Sequence, residues 1–321
     1  MKAKNQIYRV LSIDGGGIKG IYAASLLATL EKHYKIKIHE QFDLICGTST
    51  GGIISLGLSL GISASDILQF YLKFANQIFP KHRNRFKILN RFIGPSYKQT
   101  PLKDALTSIF HNHTMKDLKT NVCIPAVDIN TGKPIIFKKD HRPYLTRDNE
   151  TYLVDVALST SAAPTYFPIH SFEHNQTKIL NRYTDGGLCY NNPSLIGFIE
   201  FIEYFYNSKK NNSLGILSIG NISSKPIALK SDFISAIRWL TPLIELIFSS
   251  QSSGVDYTLS ILQRTQSTPL KIYERVEEKK SYPIELDSSD SNSLNQLASL
   301  GSSTADHIKN RENIKELFGV K

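Results

Sequence analysis

The sequence predicts an α/β protein, a three-layer α/β/α sandwich around a mostly parallel central sheet with extra helices towards the C-terminal end. Three observations lead there. The β-rich run Tyr8–Ile13 enters a glycine loop, Asp14-Gly15-Gly16-Gly17-Ile18-Lys19-Gly20, followed by Ile21, Ala24, Leu27, Ala28 and Leu30 at helical spacing. A second apolar run, Phe42–Cys46, enters the turn Gly47-Thr48-Ser49-Thr50-Gly51 and then the apolar run Ile53–Leu58. Strand, loop, helix, strand, turn, helix is a βαβα opening, which places a parallel or mixed sheet between helices. Finally, the runs Val122–Asp128, Pro134–Lys138 and Leu214–Gly220 supply further buried strands.

The remaining elements follow in order. Ser63 starts a helix as its N-cap, running to about Ile78. Lys81–Lys98 holds six Lys or Arg and no Asp or Glu, with Phe86, Leu89 and Ile93 on one helical face. It is either a basic amphipathic lid for anionic lipid or a charged loop with its apolar residues tucked inwards. Thr100-Pro101 has the form of an N-cap and first helical residue, for a helix to about Phe110. The strands Val122–Asp128 and Pro134–Lys138 pair around the turn Asn130-Thr131-Gly132. A short helix, Leu153–Leu158, precedes Ser159-Thr160-Ser161-Ala162-Ala163-Pro164, whose small residues let backbones pack closely. Tyr183-Thr184-Asp185-Gly186-Gly187 is a strand end meeting a glycine turn, and Asn192 caps the next helix. From Ser231 onwards helices are expected: one apolar through Ile234, Ile237, Leu240 and Leu243, and two polar near Ser293–Leu300 and Ser303–Phe318. Residues 1–321 are expected to form a single domain, with a motif-bearing core at about 7–220 and a helical part at about 230–321.

Composition narrows the class of protein. The net charge of +10, from 38 Lys and Arg against 28 Asp and Glu, favours an anionic partner such as a membrane surface, a nucleic acid or a small phosphate ligand. A basic soluble enzyme fits the same balance. No nucleic-acid recognition motif is present, so no nucleic acid polymer is expected. Cys46, Cys123 and Cys189 sit in or beside apolar runs, as buried thiols in a reducing compartment do. No CxxC or His/Cys cluster points to a metal. The N-terminal residues lack a signal-peptide pattern and no apolar run reaches 18 residues, so neither export nor a membrane-spanning helix is expected.

The chemistry centres on Ser49. Gly-x-Ser-x-Gly between a strand and a helix is the nucleophile-elbow pattern, with Gly47 and Gly51 leaving room for a sharp, strained turn at the start of a helix. The glycine loop has two readings. Gly15-x-Gly17-x-x-Gly20 matches the dinucleotide-binding fingerprint, but the second strand ends in Cys46-Gly47 without the acidic residue that fold wants. Alternatively, the amides of Gly15, Gly16 and Gly17 form an oxyanion hole for the tetrahedral intermediate, with Lys19 adding positive charge. For the base, the order Ser49, Asp185, His307 would make a triad, yet His307 lies in a polar helix, and His170 and His174 look like surface residues. Asp185, at a strand end before Gly186-Gly187, sits where a sheet delivers catalytic groups. Partial burial would raise its pKa from about 4 and make it a workable base.

Asp14–Gly20, Gly47–Gly51 and Asp185-Gly186-Gly187, with Ser161-Ala162-Ala163-Pro164 and Asn192-Pro193, together resemble the patatin-like phospholipase family over roughly residues 7 to 220. The resemblance implies a Ser–Asp dyad without histidine and hydrolysis of fatty acyl esters of phospholipids. It makes Ser49 the nucleophile, Asp185 the base and Gly15, Gly16 and Gly17 the oxyanion amides, with no metal or cofactor. Many members have Asp-Gly-Ala where this chain has Gly187. The opening Leu11-Ser12-Ile13-Asp14 through Tyr22, and Gln251-Ser252, are similar to bacterial antiphage patatin-like phospholipases switched on by cyclic dinucleotides such as cyclic GMP-AMP. That narrower resemblance implies a cyclic-dinucleotide activator and a phospholipid membrane surface as partners, for a cytoplasmic protein peripheral at the inner membrane; a homo-oligomer is compatible with the sequence, which does not give the oligomeric state. Lys81–Lys98 and the cluster Lys138, Lys139 and Arg142 are nucleotide-site candidates by charge alone.

Overall fold

The structure is a computed structural model that describes residues 7–80, 94–174, 178–208, 212–223, 236–265, 268–279 and 284–320. The strands are β1 (Ile7–Ile13), β2 (Leu44–Gly47), β3 (Asn121–Asp128), β4 (Lys133–Lys138), β5 (His170–Glu173), β6 (Leu180–Asp185), β7 (Ser213–Ser223) and β8 (Leu270–Lys279). They form one sheet in the order β5-β6-β3-β2-β1-β7-β8, with β4 also paired to β3. The β2, β1, β7 and β8 pairings are parallel, as is β2 with β3, and the pairings of β3 with β4 and β6 and of β5 with β6 are antiparallel. The helices are α1 (Gly20–Tyr34), α2 (Ile38–Gln41), α3 (Thr50–Leu60), α4 (Ala64–Ile78), α5 (Gln99–Phe110), α6 (Leu153–Thr160), α7 (Gly187–Tyr190), α8 (Ser194–Glu200), α9 (Ala236–Thr265), α10 (Ser291–Ile308) and α11 (Glu312–Leu317).

Side-chain alternation along the strands makes the layers. Leu11, Ile13 and Ile45 belong to the larger core, with Leu26 and Leu27 of α1, Ile54 of α3 and Leu297 of α10. Val10 and Leu44 face the other way, with Ile196 of α8 and Val255 and Leu259 of α9. Central strands apolar on both faces explain the unbroken hydrophobic runs in the sequence. Helix α3 is buried on all sides from Thr50 to Ser59, which explains its unbroken apolar run. Cys46 and Cys123 are buried, unbridged neighbours in register on β2 and β3.

Register brings the site together. Ile13 is level with Gly47 on one side and Ile219 on the other, so β1 and β2 deliver their carboxyl ends at one height, while β7 runs on beside them to Ser223. Because β4 occupies one edge of β3, β2 and β6 share the other. Cys46 lies opposite Cys123, and Asp185 lies opposite Ala126. The two strands run towards each other along that edge and their C-terminal ends meet, which is why Ser49 and Asp185 converge from 136 positions apart.

Ser63 caps α4 as expected, accepting from the Asp66 amide at 3.1 Å. Three expectations need correction. Helix α5 begins at Gln99, with Lys98 as cap, rather than capped by Thr100. The C-terminal part is not wholly helical: β8 extends the sheet, its pattern obscured by Glu274 and Arg275 among buried Leu270, Ile272 and Val276. The two polar helices divide at residue 309 rather than 301, because α10 runs through Gly301. A side chain there would meet the backbone of Tyr22 and Leu26, so this glycine marks close helix contact rather than a break. Residues 81–93, most of the basic stretch Lys81–Lys98, lie outside the described residues, as do 230–235 with Ile234.

Candidate active site

Ser49 has φ 54° and ψ −123°, a conformation in which an L-residue is strained. The strain is held by packing on both flanks. A side chain at Gly47 would strike the Gly51 carbonyl and Ser55, and one at Gly51 would strike the carbonyls of Ile13 and Asp14. Gly51→Ala is therefore expected to cost about 1–3 kcal/mol of stability, read as a lowered melting temperature, by forcing α3 off β1. The Ser49 amide donates to Thr160 Oγ1 at 3.0 Å, and Thr160 donates to the Pro125 carbonyl at 2.6 Å.

Ser49 Oγ donates to Asp185 Oδ2 at 2.7 Å. The Gly187 amide donates to Asp185 Oδ1 at 2.7 Å, which aims the carboxylate. The 159–164 stretch docks beneath: Ala162 accepts from the Asp185 amide and Thr160 from the Gly186 amide. Asp185 is 0% exposed and Ser49 6%, and both line the cavity. Burial raises the Asp185 pKa to about 7, against the lowering effect of the Gly187 and Ser49 hydrogen bonds. A carboxylate with that pKa accepts a proton at neutral pH far more readily than an exposed one. The cavity holds about 540 Å³, open mouth included, between Ile53, Tyr71, Leu102, Phe167, Phe248 and Leu286. An apolar chamber beside a hydrogen-bonded serine and carboxylate suits a hydrocarbon chain whose polar end lies at Ser49.

The patatin-like phospholipase family model matches residues 11–196, which span both members of this pair. The chain belongs to that family. It is 38% identical over 241 residues to a cGAMP-activated phospholipase of Escherichia coli (strain TW11681), covering 72% of this chain and 66% of that one. It is 33% identical to a cGAMP-activated phospholipase of Vibrio cholerae serotype O1, covering 96% of this chain and 93% of that one. A third so named, from Pseudomonas aeruginosa (strain BWHPSA011 / Pa011), is 35% identical, covering 78% and 74%. The patatin-like fold is the α/β/α sandwich expected from the sequence.

Within this patatin-like site the glycine loop differs in detail from expectation. The Gly15 amide is committed to the Asn191 carbonyl at 3.1 Å and the Ile18 amide to Leu286 at 2.8 Å. Among the described residues, the amides of Gly16 and Gly17 carry no such bond, and Gly17 lines the cavity. Lys19 donates to the Ile222 carbonyl at 3.4 Å and is opposed by Glu245, with burial lowering its pKa. The dinucleotide alternative loses its phosphate cradle: the loop packs on Asn221 and Leu286 where side chains at Gly16 and Gly17 would stand. Gly186 abuts the Pro125 carbonyl, and Phe248 of α9 occupies the space an alanine methyl would need at Gly187.

The histidines are placed elsewhere. His307 is exposed and bonded to its own helix at Ser303. His170 and His174, expected at the surface, are buried. His170 Nε2 lies 2.9 Å from Asp155 and His174 Nε2 3.7 Å from Asp148. Of the charge-based nucleotide candidates, Lys138 pairs with Glu200 at 2.6 Å, Lys139 donates to the Leu118 carbonyl, and Arg142 lies 5.1 Å above the Phe205 ring. Thr160, Asn191, Gln251 and Arg275 escaped the sequence as site residues, since their partners lie far along the chain. Gln251 was legible only through the resemblance.

Proposed function

We propose that this chain is a phospholipase that releases fatty acids from membrane phospholipids with a Ser49–Asp185 dyad, and that a cyclic dinucleotide of the cyclic GMP-AMP type switches it on. The observation that carries the chemistry is the 2.7 Å hydrogen bond from Ser49 to a buried carboxylate at an apolar cavity. The names of the three bacterial relatives support the switch.

Asp185 takes the Ser49 proton as Oγ attacks the ester carbonyl. The carbonyl electron pair moves to oxygen, and the amides of Gly16 and Gly17 stabilise that oxyanion. The intermediate collapses, the lysolipid alkoxide leaves, and the proton on Asp185 passes to it. Water then gives a proton to Asp185 and attacks the acyl-serine. Collapse of the second intermediate returns the proton to Ser49 and frees the fatty acid. The shared proton never needs a third residue, because burial keeps the carboxylate's affinity for it high. Among the described residues no helix is long and apolar enough to cross a membrane. Peripheral attachment at the inner membrane draws support from the +10 charge and from Leu240 and Leu246, exposed on α9, the helix whose Phe248 lines the cavity.

The test is fatty acid release from mixed phosphatidylethanolamine and phosphatidylglycerol vesicles, with and without cyclic GMP-AMP and other cyclic dinucleotides. Release only with nucleotide is the expected outcome. Equal release without any nucleotide removes the switch and keeps the phospholipase. No release in either arm, from protein whose Ser49 still reacts with a fluorophosphonate, rejects the phospholipid as substrate.

A further inference from the structure

The family match ends at residue 196, but helix α9 and strand β8, both beyond it, reach into the site. The turn 189–192 joins the three catalytic segments. Its Tyr190 carbonyl accepts from Thr48 Oγ1 at 2.5 Å, beside the nucleophile. Its Asn191 carbonyl accepts from the Gly15 amide at 3.1 Å, in the glycine loop. By chain continuity it follows Asp185 through α7. One side chain grips this turn. Gln251 Oε1 accepts from the Asn191 amide at 2.5 Å and the Asn192 amide at 3.2 Å, and its Nε2 donates to the Cys189 carbonyl.

The neighbouring Ser252 extends the grip. It accepts from Asn191 Nδ2 at 2.9 Å and donates to Asp14 Oδ2 at 3.1 Å. Asp14 is held from the other side by Arg275, at 2.9 and 2.7 Å. Phe248, one helical turn earlier on the same face, lines the cavity, and Val255 and Leu259 anchor that face in the core. An amide side chain that satisfies three backbone groups of one turn restricts it far more than apolar packing does.

We propose that Gln251 is a positioning residue: it holds the turn 189–192, and with it the spacing between the glycine loop, Ser49 and Asp185, so that α9 keeps the dyad in working register. The proposal rests on the Ser49–Asp185 reading. An oxyanion donor displaced by about 1 Å costs on the order of 100-fold in rate, while bound substrate is little affected. The effect therefore belongs in kcat and not in KM.

The test compares wild type with Gln251→Met, which keeps volume and loses all three bonds, and Gln251→Glu, which keeps the two acceptor bonds. Ser253→Ala, on the exposed side of the same helix, is the control. Measured per folded molecule with cyclic GMP-AMP present are the rate of Ser49 labelling by a fluorophosphonate, and kcat and KM on the vesicles described above. Gln251→Met is expected to lose at least 10-fold in both labelling rate and kcat with KM within twofold. Gln251→Glu should recover part of that loss, and Ser253→Ala should match wild type. Folded Gln251→Met with wild-type labelling and kcat, or with a loss confined to KM, overturns the proposal. If Gln251→Met does not fold, Ser252→Ala decides, with a several-fold loss of labelling supporting the clamp and a wild-type rate rejecting it. Labelling that persists in Ser49→Ala would instead mean that the dyad reading itself fails.

Discussion

Ser49→Ala should abolish fatty acid release while leaving the fold intact. Removing a serine nucleophile from a hydrolase costs on the order of 10³-fold or more, because remaining groups stabilise a charge that no longer forms. The fold should survive, since alanine at φ 54° carries the same backbone strain as serine and the turn is held by Gly47, Gly51 and the amide bond to Thr160. A melting temperature close to wild type, together with no release from vesicles and no fluorophosphonate labelling, is the expected set of results. Retained hydrolysis would move the nucleophile elsewhere.

Asp185→Asn should be comparably inactive, yet more stable than wild type above neutral pH. The folded carboxyl has a pKa of about 7, against about 4 when unfolded. Between those values the native state binds the proton that the unfolded chain has lost, so stability falls as pH rises from about 4 to about 7. Integrated over that span, the charged, buried carboxylate costs about 4 kcal/mol at pH 8 relative to its protonated form. Asparagine keeps the shape, still accepts from Gly187 and donates to Ser49, and never ionises. Thermal melts should therefore show the variant and wild type alike near pH 4, with the variant several degrees higher at pH 8. In wild type, kcat/KM should climb with pH to a plateau above an apparent pKa near 7, as the base loses its proton. A flat profile through that range, or equal melting at pH 8, would mean that Asp185 is not the titrating base.

The features legible in the sequence are those whose cause is local. Gly47 and Gly51 flank Ser49 because a side chain at Gly47 would strike the Gly51 carbonyl and Ser55, and one at Gly51 the carbonyls of Ile13 and Asp14. The largely apolar runs of β2, α3 and the second half of β1 reflect burial on every side. Asp185 announced itself by ending a strand before two glycines. His170 and His174 misled, because a histidine at an apolar-to-polar transition looks exposed until Asp155 and Asp148 are placed beside it. Strand β8 was hidden because Arg275 reads as surface charge, whereas its side chain turns inwards to a carboxylate 261 residues away.

By itself, then, the sequence determined the α/β/α layering, through glycine spacing and hydrophobic period, and singled out Ser49 and Asp185 as the proposed nucleophile and base, through their glycine turns and the family resemblance. Only the tertiary structure decided that Ser49 touches Asp185, that burial lifts that carboxyl to about 7, and that Gly15 spends its amide on Asn191 while Gly16 and Gly17 do not. It likewise assigned Gln251 to the turn 189–192. Hydrogen bonds to backbone groups depend on register and burial across distant segments, and a backbone carbonyl or amide has the same chemistry at every position, so residue type leaves little trace of which one is used.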